Sequence, residues 1–243
     1  MSDPLAVIAQ LPGVPEAVDE AREAVDRLYR HRVLRRRSPE VSTESSLRGA
    51  RASAAIEGAD VPLETLRRDE VTDPIVQGAL RASAELGRLG PTWRKAPRQV
   101  LARLHTVAAA GLTTDLGRPR TGDEAMTARM DGLLTLLATP TKAPALVMAA
   151  IVHAELAVLR PFGTADGIVA RAAERLTLVE YGLDPKSLVP VEVGHLELDY
   201  ADGLAAYLTG TSEGVASWVR QCASAVTLGV RETTAICEAL QRG

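Results

Sequence analysis

The chain has 243 residues, which at about 150 residues per domain is one extended domain or two small ones. Hydrophobic residues make up 46% and charged residues 24%, a globular composition that excludes a disordered chain, a coiled-coil rod and a membrane protein. With 28 Lys+Arg against 31 Asp+Glu the net charge is -3, so no global basic field points to nucleic acid or acidic lipid.

Ala and Leu recur at helical spacing along nearly the whole chain, while two-residue alternation is scarce, which predicts an all-α protein. After a Pro-rich leader, a helix is expected over residues 15–37, with a basic tail from Arg30 to Arg37 that suits a helix C-terminus. Ser38-Pro39-Glu40 reads as a cap and first turn opening a second helix that ends near Gly58. Further helices are expected over 64–68, over 74–89 with an end at Gly90-Pro91, and over 97–110 closed by Gly111. Residues 112–127 carry turn chemistry and predict an exposed loop or short hairpin. Helices follow over 128–137, up to Leu159, over 168–181, over 199–209 and over 212–241.

The longest apolar stretch, 143–159, contains His153 and Glu155 and is too short to span a bilayer comfortably. Met1-Ser2-Asp3-Pro4 has neither a basic n-region nor an apolar h-region behind it. Cys222 and Cys237 are fifteen residues apart on one expected helix, a distance no disulfide can bridge. A cytoplasmic chain with free thiols is the expectation.

The apolar helix delivers a compact loop, Arg160 to Gly167, onto the start of the next helix. A helix N-terminus offers unpaired amides and a partial positive charge, and Gly163 and Gly167 permit close backbone approach, so the loop is a candidate anion cradle. Arg171 lies one turn into that helix and Arg160 at the start of the loop. Phe162, the single Phe, is expected to plug the loop into the core. The same spacing also fits an interhelix turn whose arginines face water. His153 reads as a hydrogen-bonded core histidine. His105 and His195 have no partner at metal-ligand spacing, so no metal site is expected, and neither a P-loop nor a Rossmann fingerprint is present.

These residues resemble the Fic-domain family, whose pattern is H-P-F-x-[D/E]-G-N-G-R-x-x-R. Here the stretch reads Arg160, Pro161, Phe162, Gly163, Thr164, Ala165, Asp166, Gly167, Ile168, Val169, Ala170, Arg171, agreeing at Pro161, Phe162, Gly167 and Arg171. The resemblance implies transfer of AMP or related phosphate groups from ATP to protein hydroxyls, with ATP, ADP or another phosphate in the cradle formed by Gly163, Thr164, Ala165, Asp166, Gly167 and Arg171. The departures fall on the chemistry. Arg160 stands where the family has its general-base histidine, and a guanidinium cannot accept the proton. Thr164 stands at the acidic Mg²⁺ position, and a hydroxyl is a poor ligand for a hard dication, so Mg²⁺ is held weakly if at all.

Ser53-Ala54-Ala55-Ile56-Glu57-Gly58 resembles the family's inhibitory-helix pattern [S/T]-x-x-x-E-[G/N]. In self-inhibited members that glutamate pairs with the last motif arginine, which implies a Glu57–Arg171 pair here with Ser53 on the same helix face. Such a pair inside the fold predicts that loss of Arg171 strands a carboxylate. Leu104-His105 with Leu116, Gly117, Arg118, Pro119, Arg120, Thr121 and Gly122 resembles the segment leading into the family's target-docking flap, and Tyr200 and Trp218 also match residues common in relatives. The resulting expectation is a Fic-like helical bundle over 38–243, with its inhibitory helix at 39–58 and a helical extension at 1–37. The site residues imply an impaired or inactive pseudoenzyme that binds a nucleotide or a protein partner. The alternative is a self-inhibited adenylyl- or phosphoryl-transferase with its metal on Asp166. No nucleic-acid or membrane partner is expected; a protein target and a homodimer stay open.

Overall fold

The computed structural model describes residues 3–242, so Met1, Ser2 and Gly243, the outer ends of the two expected units, lie outside the described residues. Helices α1 (Pro4–Ile8), α2 (Val14–Tyr29), α3 (Leu34–Ile56) and α4 (Leu63–Arg67) are followed by α5 (Pro74–Trp93), α6 (Pro97–Ala108) and α7 (Glu124–Ala138). The second half holds α8 (Ala145–Leu159), α9 (Asp166–Glu180), α10 (Val191–Glu197), α11 (Tyr200–Leu208) and α12 (Ser212–Arg242). No strand occurs among the described residues, as an all-α fold requires.

Several boundaries differ from the sequence expectation for physical reasons. The expected helix over 15–37 stops at Tyr29, because its buried stripe, Val14, Val18, Ala21, Val25 and Leu28, is not continued in register. Val33 and Leu34 reach the core only after the chain turns, with His31 N–H donating to Leu28 O at 2.8 Å. The basic run from Arg30 to Arg37 therefore straddles a break and is not one helix tail. Within α3, Arg37 leaves helical geometry at φ -118° and ψ 21°, just before Pro39, which marks the expected restart at Ser38 as a kink.

Helix α5 runs through Gly90 and Pro91 to Trp93, past its expected end. Trp93 is fully buried and its indole N–H donates to Thr177 Oγ1 at 3.1 Å, so burial against α9 sustains the last turn. Helix α7 starts at Glu124, four residues early, because Asp123 caps it by accepting the Met126 N–H at 2.9 Å. Residues 112–123 form an irregular loop; the one bridge beside it, Ala110 with Thr113, does not make the hairpin offered as an alternative. Helices α1 and α10 were not expected, being too short for a periodic pattern.

Helices α8 and α9 pack on each other at the centre of the molecule. Every residue of α8 from Leu146 to Ala154 is buried, as expected of a helix apolar on all faces. Helix α5 covers α9, α2 lies along α12, and α10 sits between α12 and α3. The α10–α12 approach depends on Gly194, where a side chain would run into the backbone of Ala225. Among the described residues, no helix is long and apolar enough to cross a membrane.

Candidate functional site

The loop between α8 and α9 is held in an unusual backbone path. Arg160 (φ 48°), Gly163 (φ 80°) and Ala165 (φ 54°) are all left-handed. Ala165 occupies a position where the family pattern has glycine, so the turn is retained although its Cβ makes it less favourable. Phe162 plugs the loop inward as expected, 9% exposed and stacked on His105 with ring centroids 4.2 Å apart. Arg160 caps α8 through its N–H to Leu156 O at 3.1 Å and is exposed to solvent.

Asp166 faces back under its own loop. Its Oδ1 accepts the Phe162 N–H at 2.9 Å, and Oδ2 is buried without a partner. Burial raises this carboxyl to about 6, against the lowering effect of the Phe162 and Gly163 amides. The outward donors of the loop, with Thr164 in place of a carboxylate and Asp166 turned inward, do not fit Mg²⁺, which needs oxygen ligands of high charge.

Arg171 is fully buried and four acceptors surround it. Its Nε donates to Ser53 Oγ at 2.9 Å, Nη2 to Ser53 O at 3.0 Å and to Glu57 Oε1 at 2.7 Å, and Nη1 to the Tyr200 hydroxyl at 3.3 Å. Burial opposes the charge on this guanidinium, while Tyr200 and Glu57 more than offset it and raise its pKa. The Glu57 carboxylate also lies against the N-terminal turn of α9, where a Cβ on Gly167 would collide with Oε1. An internal carboxylate thus lies between Arg171 and the first turn of α9. The burial runs opposite to the expectation of a stranded carboxylate: Glu57 is 31% exposed and Arg171 0%. The group at risk of being stranded is the guanidinium. Gly58 follows at φ 91°, ending α3.

The 112–123 loop is latched to the same site. The Arg120 N–H donates to Pro161 O at 2.7 Å, and its guanidinium donates to Arg160 O at 2.9 Å and Leu159 O at 3.0 Å. The Gly117 N–H donates to His105 Nδ1 at 2.9 Å, so His105 joins loop and motif through one ring. That bond leaves the proton on Nε2, and burial lowers the ring's pKa. Arg118 and Thr121 are exposed beyond these contacts.

Sequence spacing missed one constellation. His153 is the buried, hydrogen-bonded histidine expected, but its partners come from afar: Nδ1 is 2.8 Å from Glu174 Oε2 and Nε2 is 2.8 Å from the Tyr200 hydroxyl. His195 Nε2 lies 2.8 Å from the same Glu174 oxygen, and Cys222 closes the group. Burial alone would raise the Glu174 carboxyl, yet the two imidazoles hold it low, while burial brings His153 down to about 4. Spacing along the chain gives His195 no co-ligand; in the fold, helices α8, α9, α10 and α12 bring one potential donor each into this group. Trp218 forms the wall of this group, edge-on to His153 at 5.1 Å, with its indole N–H donating to Ala150 O at 2.8 Å. Both cysteines are buried and free, as expected for residues fifteen apart on α12.

No protein-family model matches the chain and no curated protein does. Solved structures do. A Fic family protein from Desulfovibrio desulfuricans G20 superposes with a TM-score of 0.74 at 21% identity, over 90% of this chain and 74% of that one. Fic-1 from C. elegans gives 0.74 at 17% identity, over 93% and 73%. A Fic domain containing signaling protein from Bacteroides thetaiotaomicron VPI-5482 gives 0.65 at 12% identity, over 92% and 98%. The chain has the Fic helical fold.

Proposed function

We propose that this chain with a Fic fold is a degenerate, catalytically impaired Fic-domain protein that binds the phosphates of a nucleotide in the 160–171 cradle once Glu57 moves aside. The observation that carries this reading is the position of Glu57 Oε1, 2.7 Å from Arg171 and against Gly167 at the start of α9. A carboxylate held there by a buried guanidinium, against the first turn of a helix, marks a site suited to anions.

The impairment follows from three side chains. Arg160 cannot take a proton from a target hydroxyl at neutral pH. Thr164 offers no carboxylate to a metal, and Ile168 removes one cation from the phosphate site. What remains is binding: the backbone amides around Gly167, and Arg171 freed from Glu57. The transferase alternative would need Asp166 as a metal ligand, and its inward carboxyl argues against it. Two buried free thiols suit a reducing compartment, so a cytoplasmic location belongs to the same reading.

Calorimetric titration of ATP and ADP into wild type and Glu57→Gly, each with and without Mg²⁺, tests it. Binding that appears or strengthens in Glu57→Gly, with little dependence on Mg²⁺, is the expected result. No binding in any condition would mean that the cradle is vestigial and that the role lies with a protein partner. Incorporation of labelled AMP into protein by Glu57→Gly would replace this reading with the transferase.

A further inference from the structure

Next to Tyr200, whose hydroxyl also contacts Arg171, four side chains from four helices converge in the core: His153 of α8, Glu174 of α9, His195 of α10 and Cys222 of α12. Each is at most 1% exposed. We propose that they form a structural site for a divalent transition-metal ion, Zn²⁺ by its chemistry, with His153 Nδ1, His195 Nε2, Glu174 Oε2 and Cys222 Sγ as ligands. The proposal is independent of the function assigned to the cradle.

Geometry supports it first. A tetrahedral Zn²⁺ with bonds of about 2.0–2.3 Å separates its donors by roughly 3.2–3.8 Å. Here both imidazole nitrogens lie 2.8 Å from the carboxylate oxygen, and all four ligand atoms lie within 4.8 Å of one another. These values bracket the tetrahedral range, so small rotations of buried side chains suffice.

The donor set decides the ion. Two imidazoles, one carboxylate and one sulfur suit a borderline-soft cation and do not suit Mg²⁺ or Ca²⁺, which require oxygen. Four protein donors leave no open position, which makes the site structural. Charge agrees, since Zn²⁺ with one carboxylate and one thiolate is neutral, whereas the metal-free cluster keeps a carboxylate charge in a dry core. Uptake releases one proton, that of the Cys222 thiol; both imidazoles stay neutral, His153 moving its proton from Nδ1 to Nε2 and His195 from Nε2 to Nδ1.

The surroundings fit the ligands. Once Nδ1 of His153 is committed, Nε2–H donates to the Tyr200 oxygen 2.8 Å away, the outer hydrogen bond that orients metal-bound imidazoles. His195 Nδ1 has no partner, so the orientation of that ring is set at Nε2 alone. Helix α10 has seven residues and could not persist by itself; a bond from His195 to a shared ion ties it to the three long helices.

The test is metal analysis of the full-length chain expressed with Zn²⁺, followed by X-ray absorption fine structure at the zinc edge. One equivalent of zinc per chain, with one sulfur and three nitrogen or oxygen scatterers, is expected. Refolding from chelator and denaturant with Co²⁺ should give visible d–d bands and a thiolate-to-cobalt charge-transfer band; that band should vanish in Cys222→Ser and persist in Cys237→Ser. Substoichiometric metal after both preparations, or a first shell without sulfur, overturns the proposal and leaves a purely hydrogen-bonded cluster. Because the scattering measurement uses wild type, a Cys222 variant that fails to fold does not affect the outcome.

Discussion

Glu57 and Arg171 sit 114 residues apart and form a 2.7 Å ion pair in which the cation is fully buried and the anion is 31% exposed. The asymmetry governs what each mutation does. Arg171 is also held by Ser53 and Tyr200, and Glu57→Gln removes the countercharge while keeping an amide oxygen that can accept from the guanidinium. We expect it to cost about 1 kcal/mol after discounting for exposure. Arg171→Met takes the guanidinium donors away from Ser53 Oγ and Ser53 O, while Tyr200 keeps its bond to His153, and should cost about 3 kcal/mol. The Glu57→Gln/Arg171→Met double variant should be no more stable than Arg171→Met, because Glu57 can turn to solvent unaided. Urea unfolding of the three variants checks this; a double variant clearly more stable than Arg171→Met would show that Glu57 is the stranded partner after all.

Ala165 adopts φ 54° in the motif loop, where an L side chain is strained and glycine is not. Ala165→Gly should therefore stabilise the protein by about 0.5–1 kcal/mol, despite the extra freedom it gives the unfolded chain. The denaturation midpoint should rise; a fall would mean that the turn carries no strain.

Asp166 has its carboxyl raised by burial to about 6 from its ordinary 3.8. A raised folded pKa means that the native state holds the proton more tightly than the unfolded chain. Its contribution is fully present below about 4 and is lost as pH rises through about 6. Asp166→Asn should flatten that part of the stability profile, most visibly between pH 4 and 6. An unchanged slope across that window would place the titration on another group.

His105 links two segments by stacking on Phe162 and accepting the Gly117 N–H. His105→Phe keeps the stack and removes the acceptor, at an expected cost of about 1–2 kcal/mol. Amide exchange should quicken over 112–123 while α8 and α9 stay protected. Equal exchange in the two proteins would mean that Arg120, with its bonds to Leu159, Arg160 and Pro161, holds the loop without His105.

Local chemistry made much of this molecule legible. Helical periodicity set the all-α class, and the continuous apolarity of 145–159 placed α8 at the centre, because a helix with no polar face has nowhere else to go. The family resemblance carried by the motif remnants and the Ser53–Glu57 pattern implied both halves of the ion pair; spacing by itself placed only Ser53 and Glu57 on one helix face. The sequence alone did not determine which end of that pair is buried, because burial depends on how α3 meets α9. The turn at Arg30–Val33 and the helical course through Pro91 were likewise settled by the packing of Leu34 and Trp93, whose partners lie far along the chain. The His153–Glu174–His195–Cys222 cluster was beyond any reading of spacing: each helix contributes a single donor, and only tertiary packing brings the four together.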